Sequence, residues 1–206
     1  LSLTKCLVTV GPDVNVRDFN AVLRAIRDHF DPAEDFILIP GTAFDTLDFT
    51  SFKMNLGSKM VVDACPSGIP KEFRRFPNYD ARNHHPAIVR SRILEDVLLV
   101  VTVEKNTTDV LETFRNLPEN AAPPLVAAVS PDVDLDDMES LLWGIFTRFE
   151  PARDIRFAEQ NFKSARPVYT GRGLINATWK SGYPDPVSML PEITSKVEKR
   201  WADYWK

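Results

Sequence analysis

The sequence is poor in the residues from which many catalytic centres are assembled. It has two cysteines, Cys6 and Cys65, and three histidines among 206 residues. Two cysteines cannot build the disulfide framework of a small secreted domain, so a reduced, cytoplasmic setting is expected. Positive charge is not in excess: 25 Lys and Arg face 29 Asp and Glu, a net charge of −4. That excludes the basic footprint of a nucleic-acid-binding protein. No apolar run approaches the roughly 20 residues needed to span a membrane. No signal peptide is visible, because Leu-Ser-Leu-Thr-Lys leads straight into a strand-like run. An initiator Met is also missing, so a processed chain or a piece of a longer one is expected.

What is present is a pattern used twice. Pro12-Asp13-Val14-Asn15-Val16-Arg17-Asp18-Phe19 returns 119 positions later as Pro131-Asp132-Val133-Asp134-Leu135-Asp136-Asp137-Met138. Asp31-Pro32-Ala33-Glu34-Asp35 returns as Glu150-Pro151-Ala152-Arg153-Asp154. Between these ends, Phe19, Val22, Leu23, Ile26 and Phe30 correspond to Met138, Leu141, Leu142, Ile145 and Phe149. That spacing is the stripe of an amphipathic helix. Asn15 and Asp134 are expected N-caps, with Asp18 and Asp137 three residues on in an approximate capping box. Each helix must stop before Pro32 or Pro151, because proline lacks the N–H and clashes with the preceding turn.

Strand-like runs flank each copy. Cys6–Val10 and Val126–Val129 precede, and Phe36–Ile39 and Ile155–Ala158 follow. Phe36–Ile39 is apolar without alternation, which predicts a strand covered on both faces. Arg156 interrupts the second run and predicts an edge or interface. Lys59–Ala64 is a third strand, matched by Arg172–Ala177. Pro86 predicts a short helix over 87–94. Val97–Val103 is a strongly apolar strand. Thr107 or Thr108 caps a helix carrying Val110, Phe114 and Leu117. A last helix from Pro191 bears Ile193, Val197, Trp201 and Trp205 as one stripe.

At 44% hydrophobic residues, the chain can bury a real core as one domain or two small ones. The expected fold class is α/β: a mixed, mostly parallel and continuous sheet with helices on its faces, built from an internally duplicated strand-helix-strand-strand unit. The expected divisions are 1–65 for the first unit, 66–124 for a connecting loop, helix, strand and helix, and 125–206 for the second unit and C-terminal helix, all in one compact domain.

No catalytic constellation stands out. Gly57-Ser58-Lys59 is a candidate anion-binding turn, but the GxxxxGK[ST] spacing of a phosphate loop is absent. Its ordinary role is a turn entering a strand. Asp45, Asp48 and Asp63 offer carboxylates for acid–base work, against turn hydrogen bonding as the ordinary role. His84-His85 has no third metal ligand at a recognisable spacing. Cys65 as a nucleophile beside those histidines would suit a hydrolase, but nothing in the sequence brings the three together. Trp201, Tyr204 and Trp205 suit either a helix anchor or a partner surface.

Several of these stretches also carry a family resemblance. Asp13–Asp18, Phe30–Asp35, Phe44-Asp45-Thr46-Leu47-Asp48-Phe49, Leu56-Gly57-Ser58-Lys59-Met60 with Asp63-Ala64, Arg148–Asp154 and Ala177-Thr178-Trp179-Lys180 are similar to the C-terminal region of UbiD-type decarboxylases. These form the 4-hydroxybenzoate carboxy-lyase family. The resemblance implies membership of an enzyme that decarboxylates aromatic or α,β-unsaturated acids without oxidation. It implies prenylated FMN, a divalent metal and potassium for the full-length enzyme.

In that family the cofactor and catalytic residues lie mainly in a preceding split-barrel domain, which nothing here resembles. The resemblance therefore assigns no catalytic, cofactor-binding or metal residue to this chain. It implies packing on the preceding cofactor domain, and a homo-oligomer. Gly57, Ser58, Lys59, Asp63 and Lys180 are the candidate ligand or domain-interface motif. The chain departs from the family after Asp63-Ala64, where Cys65-Pro66 stands in place of Thr and a basic residue. Thr178-Trp179-Lys180 keeps that pattern better. The alternative is a free-standing, non-catalytic module, ligand-binding or part of an assembly, that kept the fold.

Overall fold

The computed structural model describes residues 3–68, 70–185, 187 and 189–205. Residues 1, 2 and 206, at the ends of the two expected units, and positions 69, 186 and 188 lie outside the described residues. The first unit runs β1 (Cys6–Val10), α1 (Phe19–His29), α2 (Pro32–Asp35), β2 (Phe36–Ala43) and β3 (Leu56–Ala64). The middle of the chain gives β4 (Ile88–Leu94), β5 (Leu98–Val103) and α3 (Thr107–Asn116). The second unit runs β6 (Leu125–Val129), α4 (Met138–Phe146), α5 (Pro151–Asp154), β7 (Ile155–Lys163) and β8 (Arg166–Ala177). The last helix, α6, covers Pro191–Arg200 and tightens into a 3₁₀ turn at Trp201–Asp203.

The strands form two sheets rather than the single, mostly parallel one expected. Sheet A has the order β1-β3-β2, and sheet B the order β4-β5-β6-β8-β7. Both are mixed. β1 with β3, β5 with β6 and β6 with β8 are parallel, while β2 with β3, β4 with β5 and β7 with β8 are antiparallel. The hairpins are the physical reason, since α2 and α5 each lead into a strand that turns back on its neighbour. The order β1-β3-β2 has a counterpart in β6-β8-β7, with the same register. Cys6 pairs with Met60 and Phe36 with Val62 in the first, as Leu125 pairs with Gly173 and Ile155 with Ile175 in the second.

Helices α1 and α4 share one core with a face of each sheet. Leu23, Ile26, Leu141 and Ile145 meet Met60, Val62 and Ala64 of sheet A, and Val100, Ala127, Val129 and Ala177 of sheet B. The other face of sheet B packs Leu99, Val101, Val126, Ala128 and Leu174 under Val110 and Phe114 of α3. Burial of each such large side chain contributes roughly 1.5–3 kcal/mol.

The helices begin one turn later than the expected caps. Asp18 accepts the Asn20 and Ala21 amides, and Asp137 accepts those of Glu139 and Ser140. Asn15 and Asp134 instead accept the amides of Arg17 and Asp136 two residues on, closing Asx-turns that aim the chain into the helix. The stretch expected as a helix over 87–94 is strand β4. Glu95 and Asp96 both take positive φ, 48° and 57°, and the Val97 amide donates to the Leu94 carbonyl. Those are the marks of a type I′ hairpin turn. Helix α3 starts at Thr107, but its N-cap residue is Asn106, with no side-chain cap bond.

Strand β2 is an edge strand with one open face, not one covered on both sides: Ile37 is 54% and Ile39 40% exposed. Strand β7 is an edge of sheet B, as Arg156 suggested. Among the described residues no helix is long and apolar enough to cross a membrane.

Candidate functional site

The Gly57-Ser58-Lys59 motif opens β3 and faces inward. A Cβ on Gly57 would stand 2.8 Å from the Phe44 ring, so glycine here admits an aromatic side chain rather than an anion. Ser58 is 1% exposed. Its hydroxyl donates to the Glu150 carboxylate and accepts the Ala152 amide at 2.8 Å. Lys59 is buried beside Phe44, and its Nζ donates to the Thr4 carbonyl at 3.0 Å.

Glu150 opens a polar network between β3 and α5. It caps α5 through the Arg153 amide at 2.9 Å, and its own amide donates to Asp154 at 2.8 Å. Asp154 is buried between Arg153 Nη2 at 2.6 Å and Lys180 Nζ at 3.3 Å. Arg153 also reaches the Thr50 carbonyl and the Tyr183 hydroxyl, each at 2.8 Å. Lys180 Nζ donates to the carbonyls of Arg148 and Asn176 at 2.9 Å and of Thr178 at 3.1 Å. Phe49, Phe52, Trp179 and Tyr183 pack edge to face or tilted around the network.

Burial sets the protonation behaviour here. Desolvation pulls the Lys180 ammonium down to about 8, against the pull of Asp154, and Arg153 and Lys5 add to the lowering. Desolvation also pushes the Tyr183 phenol up to about 12. The Asp154 carboxylate holds the Arg153 guanidinium firmly protonated.

The structure therefore brings Ser58 and Lys180 into one network, with Gly57 and Lys59 at its margin. Asp63 does not join it. It lies near the other end of β3, exposed, accepting the Thr9 hydroxyl at 2.7 Å and the Cys65 amide at 3.0 Å. The Cys65 amide is the main reason its carboxyl sits below the usual range.

Asp45 accepts the Leu47 amide, and Asp48 accepts Thr50 and pairs with Lys5 at 2.8 Å. His85 accepts the Ala87 amide, while His84 stacks on Tyr79. Among the described residues no group of three or more His, Cys, Asp or Glu could hold a metal ion. Cys65 is exposed, and its thiol is pushed up by the Asp63 carboxylate.

Sequence reasoning missed Glu150, Asp154 and Tyr183 as site residues. The usable signal was the acid–Pro–Ala–x–Asp turn, present at both 31–35 and 150–154. Its variable position crosses the unit boundary each time. Glu34 of α2 binds Arg166 of β8 at 2.9 and 3.0 Å, and Arg153 of α5 binds the Thr50 carbonyl in the first unit. The site is saturated by its own partners. Its chemistry is that of a fastening, with no free nucleophile.

The family model of the 3-octaprenyl-4-hydroxybenzoate carboxy-lyase C-terminal domain matches residues 1–64 and 89–177. The chain belongs to this UbiD C-terminal domain family. The match includes Ser58 and Glu150 and stops short of Lys180 and Tyr183. This UbiD C-terminal domain is 30% identical over 207 residues to a 4-hydroxybenzoate decarboxylase subunit from Chlamydia pneumoniae, covering all of this chain and 34% of that protein. It is 30% identical over 206 residues to an uncharacterized protein of Chlamydia caviae, again over all of this chain and 35% of the relative. The chain thus spans about a third of the length of these curated relatives.

Among solved structures, the domain is similar to the closed form of the vanillic acid decarboxylase of Sedimentibacter hydroxybenzoicus. Identity is 15% and the TM-score 0.43, over 75% of this chain and 40% of that one. It is also similar to the UbiD-class enzyme HmfF of Pelotomaculum thermopropionicum in complex with prFMN. Identity is 19% and the TM-score 0.39, over 55% of this chain and 26% of that one.

Proposed function

We propose that this chain is the C-terminal domain of a prenylated-flavin-dependent, non-oxidative decarboxylase of aromatic or α,β-unsaturated acids. In this reading it packs on a cofactor domain that lies outside these 206 residues, and it contributes to a homo-oligomer. The observation that carries the reading is the family match over residues 1–64 and 89–177. The length of the relatives supports it, since about two thirds of each lies beyond what this chain covers.

In this reading the flavin and metal centre belongs to the cofactor domain outside these residues. A cleft of about 710 Å³ is lined by Arg27, Lys71, Arg74 and Arg172 among others, and three of these cations are already engaged. Arg27 pairs with Asp28, Lys71 with Asp31 and the Phe30 carbonyl, and Arg172 with backbone carbonyls. No catalytic step is assigned to this chain. Its part is to hold a fixed surface through the Ser58–Glu150–Asp154–Lys180 fastening.

The matched strand order and register of β1-β3-β2 and β6-β8-β7 support an internal duplication. They also support reading 1–65 and 125–206 as its two copies, with 66–124 between them in one domain. The unpaired thiols of Cys6 and Cys65 support a reducing, cytoplasmic setting.

The test is purification of the full-length protein from a host that makes prenylated flavin, followed by carbon dioxide release from 4-hydroxybenzoate and related acids. Turnover with bound flavin is expected. The 206-residue chain, checked for folding by circular dichroism, should retain no flavin. Stoichiometric flavin on that chain overturns the assignment, as does a full-length protein that binds flavin but decarboxylates none of these acids.

A further inference from the structure

One face of sheet A joins the main core, and the other is open at Ile37 and Ile39 but half-covered at Leu7 and Val61 and closed over Lys59. Residues paired directly across neighbouring strands share a face. Cys6 with Met60, Val8 with Val62 and Phe36 with Val62 lie on the side that joins the main core. The opposite side carries Leu7 paired with Val61, Ile37 paired with Val61, and Ile39 paired with Lys59. None of Leu7, Val61, Ile37 and Ile39 belongs to either core. Ile37 and Ile39 are exposed and Leu7 and Val61 half-buried beside them, and aliphatic side chains grouped in this way are uncommon on an outward surface.

Sheet B supplies the comparison. By strand order and register, Val126 stands where Leu7 stands, Ala128 where Thr9 stands, and Leu174 where Val61 stands. In sheet B those three are buried under Val110 and Phe114 of α3. Helix α3 is a 10-residue helix ending at Asn116, before β6 opens at Leu125. A helix at the same distance before β1 would lie upstream of residue 1.

A cation marks the place in both sheets. Arg172 donates to the Phe114 carbonyl at 2.6 Å and the Pro123 carbonyl at 2.9 Å, gripping the end of α3 and the loop behind it. Lys59 occupies the equivalent rung and donates to the carbonyl of Thr4, the counterpart of Pro123.

We infer that an amphipathic helix of α3's size, from the segment immediately upstream of residue 1 in the full-length protein, lies across Leu7, Val61, Ile37 and Ile39. It presents branched or aromatic side chains at i and i+4, as Val110 and Phe114 do. This rests on the reading of the chain as the C-terminal part of a longer enzyme. The curated relatives, about three times the length of this chain, have the residues to supply it.

The test uses the full-length protein with the photo-crosslinking residue p-benzoylphenylalanine at Ile37, an exposed position. The same residue at Val16, an exposed position in the loop between β1 and α1, is the control. After irradiation and digestion, Ile37 should crosslink to the peptide directly upstream of residue 1, and Val16 should not. A mixture of isotopically light and heavy protein separates crosslinks within a chain from those between copies. Crosslinks from Ile37 to a second copy, to a distant part of the same chain, or to nothing would each overturn the inference. Flavin binding and turnover are measured on the same preparation. An active decarboxylase with crosslinks elsewhere removes this inference alone, whereas a natural protein with no upstream domain removes the parent reading.

Discussion

Ser58 on β3 donates its hydroxyl proton to Glu150, the residue that caps α5 in the other unit, and accepts the Ala152 amide with the same oxygen. Ser58→Ala leaves a buried carboxylate and a backbone amide each short of a partner. A buried polar group without its partner costs about 1–3 kcal/mol, so the full-length variant should unfold at a correspondingly lower urea midpoint. Ser58→Thr restores the hydroxyl but adds a methyl group at a position only 1% exposed, and should recover only part of the loss. An unchanged midpoint for Ser58→Ala would show that the fastening contributes nothing net.

Lys180 gives a pH dependence with a narrow window. Its folded value is about 8, below the ordinary 10.5. Between those values the unfolded chain holds more protons than the folded one, so stability rises as pH passes 8. Cys6 opposes this from about pH 9. Burial pushes its thiol up to about 12 from 9.0, and the unfolded chain then loses its proton first. Tyr79 and Tyr183, each pushed up to about 12 from 10.0, act in the same direction from about pH 10. The expected gain is confined between pH 8 and 9. It is at most about 1 kcal/mol, because one proton is worth about 1.4 kcal/mol per pH unit. Denaturant midpoints at pH 7.5, 8.5 and 9.5 should show the rise in the parent and none in Lys180→Met.

Two parts of this architecture were legible in the sequence for a local reason. The stripes of α1 and α4, and the prolines before which they stop and which open α2 and α5, are written within one segment each. The two sheets were not legible, because which strands share a sheet depends on partners far apart in the chain. Strand β4 was misread because Pro86 suits a helix start and the next seven residues have no decisive period. What decides it is a hairpin turn of Glu95 and Asp96, neither of them the glycine or asparagine such turns favour. At the site, Ser58 was visible as a polar residue entering a strand. Its partner Glu150 lies 92 positions away, and no spacing rule links them.

Gly144 lies inside α4, where alanine would ordinarily stabilise a helix by about 1 kcal/mol. Here a Cβ would stand 2.5 Å from a Val133 methyl. Overpacking of that kind costs about 1–3 kcal/mol, so the clash wins and Gly144→Ala should lower the thermal midpoint. Val133→Ala combined with Gly144→Ala should be less destabilised than the two single losses added together. Additive losses would mean that the two positions do not press on each other.

The α6 stripe is not absorbed by the chain's own core. No residue of α6 is buried, and Trp201 and Trp205 are 56% and 75% exposed while packing edge to face with each other. Light scattering of the full-length protein should show an oligomer. Trp201→Ala with Trp205→Ala should weaken assembly by about 2 kcal/mol or more, the scale of an interface hot spot, and leave the unfolding midpoint of the body unchanged. A parent that stays monomeric at high concentration ends the interface reading.

Arg172 has a consequence for how the chain comes into being. Its acceptors from Phe114 to Pro123 precede it by 49 to 58 residues, and the strand that carries it, β8, is also the parallel neighbour of β6. Ribosomes add about 5–20 residues per second. For a time on the order of seconds, α3 and the centre of sheet B have therefore left the tunnel without the residue that locks them. Pairings between strands so distant in sequence form slowly. Until β8 emerges, Val126 and Ala128 of β6 lack the parallel neighbour that pairs with them in the folded chain.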